Sequence, residues 1–184
     1  QDGSARTLHE QVSVPMFHSK EMNIGGETDL ATKMRKAEYA SRLRGDLTET
    51  EWADDGKVAH RSYRALVEFL KEPMFRPFDA RIDDHLAGKS DALTDQEKRG
   101  LEVFKNKGKC ADCHFLHATS WPKALLSDFG YDNLGVPSRG DKDSGLAGHT
   151  LADGEMGQFR APSLRNVALT APYFHNGSVA TLKE

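Results

Sequence analysis

Cysteine is nearly missing from this chain: there are two, Cys110 and Cys113. A bridge between residues three positions apart would close a very small, strained loop, so a disulfide framework is excluded as the source of stability. Long apolar runs are missing too, and no stretch approaches the roughly 20 residues needed to span a bilayer. Neither sign of charge dominates. A net charge of −3 over 184 residues leaves no electrostatic footprint for nucleic acid or for an anionic membrane surface. No internal repeat, low-complexity segment or convincing strand pattern is visible. Gln1-Asp2-Gly3-Ser4 does not read as a signal peptide, so any targeting segment is expected to have been removed or to lie outside this chain.

What remains reads as mostly helical. The length suits one compact domain or two small ones. Leu30, Met34, Ala37 and Leu43 suggest one amphipathic helix ended by Gly45, and Val58, Tyr63, Leu66, Val67 and Leu70 a second, stopped by Pro73. A short third follows Pro77, with Phe78, Ile82 and Leu86 inward and Gly88 as its stop. The fourth has the clearest start, because Thr94-Asp95-Gln96-Glu97 is a capping box. Leu101 and Phe104, helped by Val103, give it an apolar face, and Gly108 ends it. Gly100 costs stability at mid-helix, which close approach of something bulky would justify. From about Leu116 to Pro162 the chain is rich in Gly, Asp, Ser and Pro, as loops that wrap a cofactor would be. Apolar residues make up 38% and charged ones 29%; the apolar fraction is low for a chain of this length, and a large prosthetic group in the core would help to make up the deficit.

The cysteines belong to Cys110-Ala111-Asp112-Cys113-His114, the CxxCH pattern of c-type haem attachment. Two thiols at this spacing lie on one side of a helical turn and can add to two vinyl groups on one haem edge. The adjacent histidine then gives an imidazole nitrogen to iron. Two other readings stand beside it. A zinc site could use Cys110, Cys113 and His117, but no second cysteine pair or HxxxH exists to complete it. A thioredoxin-like redox pair would need a βα context, whereas a helix and a Lys-Gly-Lys turn (107–109) precede this one. For a sixth iron ligand, Met16, Met22, Met156, His117, His149 and His175 are all candidates by type.

Four segments carry a resemblance: LTDQEKRGLEVF (93–104), CADCH (110–114), YDNLGVP (131–137) and FRAPSLRNVALTAPYFHNG (159–177). They are similar to the C-terminal haem domain of bacterial di-haem cytochrome c peroxidases and the related MauG-like enzymes. YDNLGVP and DSGLAG (143–148) look more like the MauG-like branch. LHEQVSVPMFHSKEM (8–22) resembles the family segment over the other, peroxide-reactive haem. The resemblance implies an all-α, cytochrome c-like fold with residues 1–90 completing the N-terminal haem domain and linker, and 91–184 forming the C-terminal haem domain. It implies that Glu21 is an acid–base group and Gln11 its distal partner. Haem c contacts fall to Cys110, Cys113, His114, Phe104, Arg160 and Arg165, with an arginine pairing to a propionate. It also places a calcium ion on the backbone carbonyls of Thr170 and Pro172.

The chain departs from that family in three ways. It has one CxxCH where the family has two. The family's Trp-Asp-Gly-Arg, whose tryptophan lies between the haems, is Gln1-Asp2-Gly3-Ser4 here. Thr181-Leu182-Lys183-Glu184 reads as the first turn of a capped helix, before the family's sixth ligand, so the domain is expected to be truncated. A second haem is therefore expected in the complete protein, for example on a separate N-terminal chain. The implied function is that of a periplasmic oxidoreductase relaying electrons between a redox protein, as donor or oxidised substrate, and a haem that reacts with hydrogen peroxide. A mono-haem electron carrier without catalysis is the alternative.

Overall fold

The computed structural model describes the chain apart from residues 119–122, 138–139 and 141–142. Parts of the long loop stretch expected between Leu116 and Pro162 therefore lie outside the described residues. Two compact units divide the chain: Ala5–Pro77, and Gln1–Ser4 together with Phe78–Glu184. The division falls earlier than the boundary expected after residue 90. The third helix goes with the second unit because its side chains pair there, as described below.

The first unit is helical throughout. α1 (Leu8–Phe17) opens on a capping box: the Thr7 hydroxyl accepts the Glu10 N–H at 3.1 Å, and the Glu10 carboxylate accepts the Thr7 N–H at 3.2 Å. α2 (Glu27–Lys36) has acidic residues in its first turn and basic residues in its last, matching the helix dipole. α3 (Ala40–Arg44) ends on Gly45, whose φ of +54° favours glycine. α4 (Glu49–Ala53) has a second capping box, Thr48 with Glu51. α5 (Asp55–Leu70), capped by the Asp54 carboxylate, is the element on which the other four pack.

The single helix expected from Leu30 to Leu43 is two helices. Ala37 is extended and its N–H closes a tight turn on the Met34 carbonyl. At about 100° per residue, an unbroken helix would put Leu43 about 220° round from Leu30, facing away from the core. The break turns α3 back, and Arg61 of α5 fixes it by donating to the Leu43 carbonyl at 3.0 Å. The core is Met16, Ile24, Leu30, Ala59 and Tyr63, flanked by Val12, Phe17 and Met34.

The second unit has little regular structure. α6 (Arg81–Leu86) has Asp83 as its buried residue, whereas Leu86, expected inward, is exposed. Arg81 pairs with Glu97 at 2.6 Å and Lys123 donates to the Phe78 carbonyl at 2.8 Å, which ties α6 to this unit. α7 (Asp95–Glu102) starts on the expected capping box of Thr94 and Glu97. It then widens into a π-turn over Val103–Lys107, where the Gly108 N–H reaches the Val103 carbonyl at 2.7 Å. That widening leaves Val103 exposed rather than on the apolar face. β1 (Tyr131–Asp132) pairs antiparallel with β2 (Phe159–Arg160), a two-stranded ribbon too short to show an alternating pattern. Between them lies α8 (Ala147–Thr150). Gln1 lies beside the ribbon, its carbonyl accepting the Arg160 N–H at 2.8 Å. The fold is thus mostly helical with little strand, as the sequence implies.

Candidate haem-binding site

The CxxCH segment follows directly from the π-turn. Lys109, in left-handed backbone, breaks the helix, and a 3-10 turn over Cys110–Asp112 brings the two cysteines round one bend. The His114 N–H closes that bend on the Cys110 carbonyl at 2.9 Å. The thiols are free. The Cys113 thiol is pushed above its ordinary pKa by burial and by Asp132, Asp128 and Asp112. A reactive redox pair needs the opposite shift, toward thiolate, so the thioredoxin-like reading loses its chemical support. The zinc reading fares no better. Among the described residues no three His, Cys, Asp or Glu side chains gather as a metal would require, and the His117 ring stacks on Phe115.

His114 is oriented by the backbone. Its Nδ1 lies 2.9 Å from the Leu126 carbonyl. A carbonyl can only accept, so Nδ1 carries the proton and Nε2 is left with the free lone pair. This is the arrangement by which proteins hold metal-ligating histidines in one tautomer. His114 and Cys113 both line a cavity of about 840 Å³. Such a volume falls within the range of sites that bury a large ligand (about 300–1,000 Å³). Apolar side chains, among them Leu134, Val136, Phe159 and Leu164, form much of its wall. The residues present therefore fit a haem: two thiols on one bend, a histidine fixed with one nitrogen free, and a roomy apolar cavity beside them. Nothing lies within 4 Å of where a Cβ on Gly100 would stand, so protein does not fill the space there.

The sixth-ligand candidates separate. Met156 and His175 line the cavity, with the His175 ring stacked 3.6 Å from Phe159. Met16 is in the core of the first unit and Met22 is exposed there. His149 pairs with Asp2 at 3.2 Å. The two arginines also part company. Arg160 lines the cavity, with its guanidinium over the Phe129 ring at 4.7 Å. Arg165 is engaged elsewhere, gripping both Asp83 oxygens at 2.7 and 2.9 Å. Phe104 is half-buried outside the lining. Thr170 and Pro172 both line the cavity. Gln11 and Glu21 are exposed in the first unit, Gln11 on α1 and Glu21 in the turn after it. Sequence reasoning missed Asp83 and Leu126. Asp83 carried a signal, a carboxylate at an inward helical position; a carbonyl partner carries none.

A family model described as RoxA-like, cytochrome c-like, matches residues 158–184. MauG of Methylophilus methylotrophus is 32% identical over 99% of this chain and 50% of its own. The cytochrome c peroxidase Ccp of Escherichia coli is 34% identical over 98% of this chain and 37% of its own. The chain is a homologue of MauG and the cytochrome c peroxidases. Among solved structures, the di-haem peroxidase BthA of Burkholderia thailandensis superposes with a TM-score of 0.86 at 32% identity, over 99% of this chain and 48% of that one. The chain thus spans about half the length of the relatives it matches. Members of the cytochrome c peroxidase and MauG family carry haem c. No helix among the described residues is long and apolar enough to cross a membrane.

Proposed function

We propose that this chain is the electron-relay haem unit, with part of the peroxide-reactive unit, of a peroxide-dependent oxidoreductase of the di-haem peroxidase and MauG type. The observation that carries the reading is His114, held through Nδ1 by the Leu126 carbonyl beside a large apolar cavity. When bound, the haem supplies a one-electron iron couple. The rest falls to the chain. Cys110 and Cys113 would tether the group, His114 would offer its free Nε2 to the iron, and the apolar wall would keep water out of the cavity. Arg160, which lines the cavity, would take a carboxylate of the group through a charged hydrogen bond. Arg165 is not proposed for that task, since Asp83 already occupies its guanidinium. Glu21 holds and delivers a proton at its carboxylate oxygen, and Gln11 supplies a neighbouring amide, at a second haem that this chain does not attach.

The remaining assignments belong to the same proposal. Hydrogen peroxide is the oxidant, and a small redox protein is the donor or a protein is the oxidised substrate. The second haem sits on other sequence of the complete protein, on a separate N-terminal chain or otherwise. Calcium binds the Thr170 and Pro172 carbonyls, oxygen donors that suit that hard cation. Attachment of c-type haem outside the cytoplasmic membrane puts the protein in the periplasm.

The test is expression with c-type haem maturation, followed by pyridine haemochrome assay and peroxide titration of the native protein. Covalent haem on this chain, with peroxide-dependent oxidation of a reduced redox protein, is the expected result. No covalent haem would end the reading. The single CxxCH motif favours one rival, a mono-haem carrier. For that rival the native mass equals this chain plus one haem, and peroxide leaves the spectrum unchanged.

A further inference from the structure

The hydrogen bond that orients His114 is the last link of a chain that begins on α6. Residues 124–126 run beside the histidine, and each of their carbonyls has a donor. The Ala124 carbonyl accepts from Arg165 Nε at 2.9 Å and from a terminal nitrogen of the same guanidinium. The Leu125 carbonyl accepts from the Ser163 hydroxyl at 2.6 Å. The Leu126 carbonyl accepts from His114 Nδ1 at 2.9 Å and from the Leu164 N–H at 3.3 Å. Arg165 is itself held on two sides. Asp83 takes both guanidinium arms, and the Phe78 ring lies 4.4 Å from the guanidinium carbon. The Asp83 side chain is only 3% exposed.

A second observation shows that this segment is held rather than relaxed. Leu126 has a φ of +55°, left-handed backbone that a leucine adopts only when its surroundings impose it. The surroundings here are the Arg165, Ser163 and Leu164 donors.

We infer that Asp83 and Arg165 are positioning residues for His114: by pinning residues 124–126 they set the strength of the Nδ1–H···O=C bond, and so the electron donation of the imidazole to haem iron. The inference rests on the proposal that His114 is the iron ligand. A proton shared with a firmly held acceptor gives the ring more anionic character, which favours ferric over ferrous iron and lowers the reduction potential. Loosening the acceptor raises the potential.

The experiment uses the haem-loaded chain and three substitutions. Asp83→Asn removes the charge that locks Arg165. Arg165→Lys keeps a cation for Asp83 but loses the planar fork that reaches Ala124. Arg81→Leu, on α6 like Asp83, breaks the exposed pair with Glu97 of α7 and serves as the control. Asp83→Asn and Arg165→Lys are expected to shift the ferric-to-ferrous ratio at fixed potential by about tenfold toward ferrous, about 59 mV for a one-electron couple. In both, the His114 ring N–H, followed by NMR in the reduced state, exchanges faster than in the parent. Arg81→Leu leaves potential and exchange unchanged. Ratios within twofold of the parent in both variants, or an equal shift in Arg81→Leu, overturn the inference. A parent chain without covalent haem overturns the underlying reading instead, and is seen before any potential is measured.

Discussion

Replacing Asp83 with alanine leaves a guanidinium in a half-buried place without its counter-charge. The Asp83 side chain is 3% exposed and that of Arg165 19%, so solvent screens the pair weakly. Breaking a buried ion pair by removing one partner costs about 3–5 kcal/mol. Arg165 keeps the Ala124 carbonyl and the Phe78 ring, which puts Asp83→Ala at the lower end, about 3 kcal/mol. For a domain of this size that is a fall in melting temperature of about 6–12 °C. Arg165→Ala strands a carboxylate and the Ala124 carbonyl, so it costs at least as much. The double variant is expected to cost far less than the sum, since the two residues are in contact. The effect also has a pH signature. The Arg165 hydrogen bonds hold the Asp83 carboxyl below its ordinary value of 3.8, against the opposing effect of burial. A depressed folded-state value gives stability that is present above the unfolded value and lost as pH falls through the folded one. Thermal unfolding by circular dichroism at neutral pH and at stepped acid pH measures both. A melting temperature for Asp83→Ala within a degree of the parent, or additive single costs, would refute the reasoning.

Three further outcomes are expected. Tyr63 is buried and its hydroxyl donates to Glu27 at 3.3 Å; burial and that carboxylate push its pKa up to about 12. Its contribution to stability is present below the ordinary value of 10.0 and is lost as pH rises toward about 12, and ultraviolet titration of Glu27→Gln should show the phenol ionising earlier. Leu30→Ala, at a fully buried site on α2, should cost about 2–5 kcal/mol in urea unfolding, a range that Leu86→Ala on the exposed side of α6 should fall well below. Glu21→Gln should lower peroxide turnover of the complete enzyme by about 100-fold or more with haem content unchanged; unaltered turnover would remove Glu21 from the proton path.

Some of this was legible in the sequence because the cause is local. The Thr94–Glu97 capping box needs four residues and backbone geometry, and it forms as read. The two other boxes, Thr7–Glu10 and Thr48–Glu51, carry the same signal, but they head short or weakly periodic helices that the apolar spacing does not mark. The break at Ala37 is not local. It exists because α5 offers its surface to both Leu30 and Leu43, which no window around residue 37 reveals. The haem motif was plain, since thiol spacing and the adjacent histidine are fixed by the shape of the group they bind. The partner of that histidine was not, because a backbone carbonyl belongs to every residue alike. Arg165 shows the same limit from the other side. The resemblance offered it to a propionate, but residues far apart in sequence close on it, and Asp83 competes for the same fork.

The widened turn after α7 has a consequence for the spacing of the chain. A π-turn takes up one residue more than an α-helix over the same rise, and each residue of an α-helix advances the direction of the chain by about 100°. The five residues Val103–Lys107 therefore act as a rotational spacer between the capping box that starts α7 and the bend that carries Cys110. Deleting one of them removes the surplus residue, so α7 would run on as an ordinary helix with the bend at Cys110 aimed as before, whereas deleting a second would turn that bend by about 100°. The stretch thus carries one residue of slack: its loss is absorbed before Cys110 is reached, and a further loss is not.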